Sequence, residues 1–165
     1  MNVFLTGERG VGKSFALRAA VGLLGLKAKG FATVFAQTGA ERALYIRPWD
    51  EEPLYVPERL AAVMGEDGPR VNTDVFDRFG SLCLRGAIGD GELIIMDELG
   101  FMEKDAGEFR KAVTEALLSD KPVLGVIRQG LPAWTREAAR LGTVLTVDRR
   151  NRDDIPLIAA EAIRR

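Results

Sequence analysis

The eight residues Gly7 to Ser14, GERGVGKS, follow directly on the apolar opening MNVFLT. Gly7, Gly12, Lys13 and Ser14 fill the spacing G-x-x-x-x-G-K-[ST], in which glycines let backbone N–H groups curl around phosphate oxygens and the lysine reaches the terminal phosphates. Such a loop works only between a buried strand and a helix whose free N-terminal N–H groups face the ligand. Both flanks comply. Val3, Phe4 and Leu5 make a short apolar run, and Ser14 to Leu24 carries Phe15, Leu17, Ala19, Ala20, Val21, Leu23 and Leu24 in a helix-compatible stretch. Glu8, Arg9, Gly10 and Val11 inside the loop, with Phe15 just after it, would supply the rest of the cradle. The feature predicts a strand, loop and helix that hold a nucleoside triphosphate with Mg²⁺; the bland alternative is a glycine-rich turn with an exposed lysine.

The apolar pattern downstream extends this unit into a layered fold. Gly30 to Gln37 and Arg42 to Arg47 read as two strands joined by the four-residue turn Thr38 to Glu41, an antiparallel ornament. Residues 48–72 gather Pro48, Pro53, Pro57 and Pro69 among acidic side chains and read as largely loop, with room for one short helix at Glu58 to Met64. A helix over Asp74 to Ile88 follows, then the strand LIIM at 93–96, a helix over Glu108 to Ser119, the strand VLGVI at 123–127, a helix near Thr135 to Leu141, the strand TVLTV at 143–147 and a helix from Asp154. Continuous apolar strands alternating with helices predict an α/β fold, a mainly parallel sheet covered on both faces, within one domain. Phosphates then belong at the carboxyl ends of the strands.

LIIMDELG supplies the acidic half of such a site. Asp97 and Glu98 close a buried strand where the phosphates are expected, and two adjacent desolvated carboxylates call for a positive partner. Mg²⁺ takes one or two protein oxygens together with phosphate and water, so Ser14 and Asp97 are the expected metal pair. Alternation along a strand turns Glu98 away from Asp97 and leaves it to address a water in line with the terminal phosphate. In phosphate-loop proteins with this Asp-Glu pair an extra strand separates the loop strand from the acidic one; VLGVI is the candidate. Arg128 or Gln129 at its end would then sense the γ-phosphate, unless both are surface residues.

Composition narrows the chemistry. The chain has no histidine and a single cysteine, Cys83, so His-based catalysis, zinc sites of the usual kind and an intrachain disulfide are excluded. Cys83 lies in an apolar helical pattern and reads as an inert core thiol. A net charge of −1 argues against a general nucleic-acid binder, although Arg149 to Arg152 is locally basic. No stretch reaches the ~20 apolar residues of a membrane helix, and the N-terminus lacks the layout of a signal peptide, which predicts a cytoplasmic protein without membrane partners.

GERGVGKS, GFAT at 30–33, MDELGFME at 96–103, KPVLGVI at 121–127 and NRDD at 151–154 resemble, in order and nearly end to end, the motifs of the small nucleoside-triphosphatases of the thermophile and human cancer-related type. The resemblance implies a three-layer, RecA-like P-loop NTPase fold and slow hydrolysis of nucleoside triphosphates with loose base choice. Two departures stand out. Phe101 occupies a position usually held by lysine, and Val34 to Gln37 lacks an acidic residue and an arginine usual after GFAT. The matched NRDD segment places Asn151 and Arg152 where they would contact base or phosphate, while Asp153 would also serve to start the last helix.

The function expected is Mg²⁺-dependent triphosphate hydrolysis with Lys13 and Glu98 as catalytic residues. A nucleotide or small-molecule kinase shares the same loop and metal pair but needs an acceptor pocket, and usually an arginine-rich lid. Residues 48–72, mainly acidic apart from Arg59 and Arg70, are the sole lid candidate. A nucleotide-binding regulator is the third reading. The sequence names no protein partner.

Overall fold

The computed structural model describes residues 1–130 and 132–165. It contains one eight-stranded sheet in the order β5-β4-β3-β2-β6-β7-β1-β8. β1 (Asn2–Thr6) pairs in parallel with β7 (Val123–Ile127) on one side and β8 (Thr143–Thr146) on the other. β6 (Leu93–Leu99) pairs in parallel with β7 and with β2 (Ala28–Thr38). β7 therefore stands between the loop strand and the acidic strand. Beyond β2 the sheet turns antiparallel through β3 (Glu41–Pro48), β4 (Leu60–Gly65) and β5 (Gly68–Val71).

Period-two alternation sorts the parallel strands between two cores. Phe4, Ile94 and Met96 face one side and pack with α3 (Ser81–Asp90), α4 (Gly107–Leu117) and α5 (Ala133–Ala139), with Phe109 set edge-on to Phe31 and Phe76. Val3, Leu5 and Ile95 face the other side, under α1 (Lys13–Leu24) and α6 (Ile155–Arg164). The single-residue offset between Phe4 and its neighbours is enough to send each to a different layer. Gly125 leaves the room that the Phe4 ring fills, since a Cβ there would press on its edge at 3.0 Å.

Several expectations need correction. Residues 48–72 are not mainly loop, and the helix expected at Glu58 to Met64 is absent beyond Arg59, since Leu60 to Met64 is strand. A 3-10 turn at Pro57–Arg59 leads directly into β4, and a two-residue turn at Glu66 and Asp67, closed by the Gly65–Gly68 pair, returns β5 antiparallel beside it. Ala61 and Ala62 are fully buried there, so sheet pairing and core contact override the local helix propensity of LAAVM. The turn between β2 and β3 is two residues, because Thr38 and Glu41 are already paired and Gly39 adopts a left-handed conformation. β2 is more than an ornament, since its first half joins β6 in parallel. The helical path after Asn72 is α2 (Thr73–Val75), a π-helical turn at Phe76–Gly80 and then α3, in place of one regular helix. The Asp97–Glu98 peptide bond is cis.

Candidate active site

The phosphate loop leaves β1 and enters α1 with Gly7, Gly10 and Gly12 all at positive φ, a backbone that side chains with a Cβ rarely adopt. At Gly7 the need is doubled, because a Cβ would collide with the carbonyl oxygen of Val147 at the end of β8. Lys13 folds over the loop, its Nζ donating to the carbonyls of Gly7 at 2.9 Å and Glu8 at 2.8 Å. Val11 is buried beneath the loop, in the core under α1 and α6. Glu8, Arg9, Gly10, Gly12, Ser14 and the largely exposed Phe15 line a cavity together with Gly7 and Lys13.

Asp97 joins this loop directly. Ser14 Oγ donates to Asp97 Oδ1 at 3.1 Å, across 83 residues of sequence. Asp97 is buried, and that burial raises its carboxyl pKa against the opposing effect of the Ser14 hydrogen bond and the charges of Arg18, Arg47 and Lys13. Its neighbour Glu98 is half-buried and its pKa is also raised, first by burial and then by the charge of Asp97, with Lys13, Arg128 and Arg9 opposing. Strand alternation predicts that the two carboxylates part, yet both line the same cavity. The ladder to β7 shifts register between Asp97 and Leu99, so Glu98 is not an ordinary ladder residue and the two-residue alternation does not govern it.

Arg128 and Gln129, which follow β7, line the cavity too. Asn151 and Arg152 do not. Asn151 spends its side chain on its own loop, donating to the Thr146 carbonyl at 2.9 Å and accepting the Asp148 N–H at 2.8 Å. Arg152 is exposed, with Asp153 Oδ1 4.0 Å away. Their loop nonetheless starts beside the phosphate loop, where Val147 donates its N–H to the Thr6 carbonyl at 2.7 Å and its own carbonyl crowds Gly7.

Sequence reasoning left three contributors without a role. Glu103 is buried and accepts the Gly100 N–H, while the Gly100 carbonyl accepts Trp134 Nε1–H at 3.1 Å, so the residue two after Glu98 is clamped from both sides. Burial pushes the Glu103 carboxyl up to about 7, against the Gly100 and Glu103 backbone N–H groups that favour its charge. Arg47 directs its Nη1 to the carbonyls of Trp49 at 2.9 Å and Glu51 at 2.8 Å, with its charge felt at Asp97. The signal for Glu103 was its place in MDELGFME; nothing local marked Trp134 or Arg47.

A family described as NTPase matches residues 2–159. The chain belongs to the NTPase family. Within it, the chain is 34% identical to a nucleoside-triphosphatase THEP1 of Methanosarcina acetivorans, over 94% of this chain and 93% of that one. It is 31% identical to the protein of the same name from Methanocaldococcus jannaschii, over 94% and 92%. Among solved structures, THEP1 of Aquifex aeolicus matches with a TM-score of 0.78 at 24% identity, covering all of both chains, which speaks for the fold. A human cancer-related nucleoside triphosphatase matches with a TM-score of 0.70 at 25% identity, covering 98% and 96%. The mixed sheet of this NTPase family member, parallel around β1 and antiparallel beyond β2, agrees with those neighbours.

Proposed function

We propose that the chain hydrolyses nucleoside 5′-triphosphates to the diphosphate and inorganic phosphate, with Mg²⁺, slowly and with loose base selectivity. The observation that carries this reading is the Ser14–Asp97 hydrogen bond, which joins the phosphate loop to the acidic strand, with Lys13 and Glu98 on the same cavity. The donor set suits a hard cation. A hydroxyl and a buried carboxylate oxygen lie 3.1 Å apart, and among the described residues no cluster of three or more His, Cys, Asp or Glu gathers that would hold a metal without phosphate and water. Mg²⁺ bound there would neutralise charge on the phosphate oxygens.

The chain's own groups divide the remaining work. Backbone N–H groups of residues 10–14 and the free end of α1 bind the phosphates. Lys13 exchanges its contacts to the Gly7 and Glu8 carbonyls for β- and γ-phosphate oxygens. Glu98, whose raised pKa makes it a better proton acceptor than an ordinary surface carboxylate, takes a proton from the attacking water. Arg128 and Gln129 contact the γ-phosphate from the β7 side, and Arg152 addresses the nucleotide from the β8 side. The compartment proposed is the cytoplasm; no described helix is long and apolar enough to cross a membrane.

Phosphate release from triphosphate with no added acceptor tests the reaction. Wild-type protein should release phosphate, and Lys13→Ala should lose binding and turnover together, because Lys13 contacts phosphates in the ground and transition states alike. Unchanged affinity and turnover in that variant would remove Lys13 from the site.

A further inference from the structure

The cavity at the phosphate loop is larger than one ligand requires. Its volume is about 1410 Å³, against about 300–1,000 Å³ for ordinary small-molecule sites. The excess lies on the side of Glu98 away from β8, where the antiparallel strands form the wall. There Leu44 and Phe76 make a buried apolar floor, and Phe35 and Phe101 remain 44% and 46% exposed. Arg42 stands with its guanidinium carbon 4.2 Å from the centre of the Phe35 ring. It takes part in no ion pair among the described residues, and the adjacent Glu41 is engaged by Arg70 at 3.0 Å. Every carboxylate on the cavity, Glu8, Asp97, Glu98 and Glu103, comes from the phosphate loop or from β6 and the segment after it; none comes from β2 to β5.

We propose that this outer part is a second small-molecule site, which takes a planar apolar molecule bearing an anionic group while a nucleotide occupies the phosphate loop. Aromatic rings on an apolar floor match a planar body, and an unpaired guanidinium stacked on Phe35 matches a carboxylate, sulfonate or phosphate. The two ligands do not compete for space. A nucleotide whose phosphates lie along residues 7–14 and whose base lies toward the β8 loop leaves this end open, since Asn151 and Arg152 are not on the cavity wall. The outer site rests on that placement of the triphosphate. A ligand held there has its inner end at Glu98, beside the terminal phosphate, so its arrival either displaces the attacking water or excludes bulk water around it.

Calorimetric titration with 2-naphthoate, with and without saturating Mg-ADP, tests the inference. Naphthoate should bind one per chain with an affinity unchanged within about twofold by ADP, and Arg42→Met, which keeps the apolar stem, should weaken it about tenfold or more. The uncharged 2-naphthalenemethanol should bind wild type and Arg42→Met alike, and Phe35→Ala should weaken both probes. Naphthoate displaced by ADP would make the cavity the nucleotide's own, and naphthoate bound equally by Arg42→Met would remove the anion contact; either result overturns the second site. ADP that fails to bind at all refutes the phosphate-loop placement instead, and the two failures are separate readings of one titration series.

Discussion

In the proposed mechanism Ser14 and Asp97 serve binding and Glu98 serves chemistry, and substitutions separate the two. Ser14→Ala and Asp97→Asn each delete an oxygen from the proposed metal pair, so the Mg²⁺ concentration for half-maximal activity should rise, by about tenfold or more for the charged Asp97. An unshifted Mg²⁺ titration in both variants would refute the pair. Glu98→Gln keeps the shape of its side chain while removing its charge and with it the capacity to accept a proton. It should bind magnesium triphosphate normally and turn over slower by on the order of 10² or more. Single-turnover hydrolysis beside an equilibrium nucleotide titration reads the two quantities independently, and near-normal phosphate release would overturn water activation while leaving the phosphate loop intact. That Asp97 and Glu98 sit toward the end of a buried strand was legible from LIIMDELG alone. Their sharing of one cavity was not, because strand alternation argues for the opposite and only the register shift to β7 overrides it.

At the scale of elements, the parallel pairing of β2 with β6, the acidic strand, turns on one glycine. Gly30, opposite Ile95 in that pairing, has φ 135°, and a Cβ there would collide with the Ile95 backbone. Gly30→Ala should therefore lower stability by about 3 kcal/mol, combining a strained backbone with an overpacked strand pair. Denaturant melts would read it, and a variant as stable as wild type would mean that the two strands separate without cost. Sequence reading placed GFAT on a strand without a reason for its glycine; the reason is a neighbour 65 residues away. The same limit explains the helix expected at Glu58 to Met64. Local propensity favoured one, but Ala62 pairs with both Leu44 and Val71, so strand partners from either side decide the element.

Across the whole molecule, the buried Glu103 couples stability to pH. Its pKa is raised on folding from 4.5 to about 7, so the folded state binds its proton more tightly than the unfolded chain. The stability from this group is fully present below its unfolded pKa and is lost as pH rises through about 7. The loss amounts to about 3 kcal/mol at most. Glu103→Gln retains a carbonyl oxygen for the Gly100 N–H and cannot ionise. Its melting temperature should fall less than that of wild type between about pH 4.5 and 7.5, and the difference between the two profiles cancels the contributions of Asp97 and Glu98, which are raised in the same sense. Parallel profiles would show that Glu103 titrates as an exposed carboxylate.

What the chain determined by itself was whatever depends on residues near one another in sequence: the strand, loop and helix of GERGVGKS, the apolar runs of β1, β6 and β7, and the acidic pair at the end of β6. Those patterns carry their own physical reasons, namely glycine backbone freedom, phosphate charge and the two-residue period of a strand. The meeting of Asp97 with Ser14 and the place of β7 between β1 and β6 were expected from motifs far apart in the chain, and the structure has both. Tertiary structure alone brought Glu98 onto the cavity of Asp97, clamped Gly100 between Glu103 and Trp134, and opened a wall of β2 to β5 residues beside the phosphate loop. Pairing partners and burial are properties of the assembled sheet, and no segment of the chain encodes them before the sheet exists.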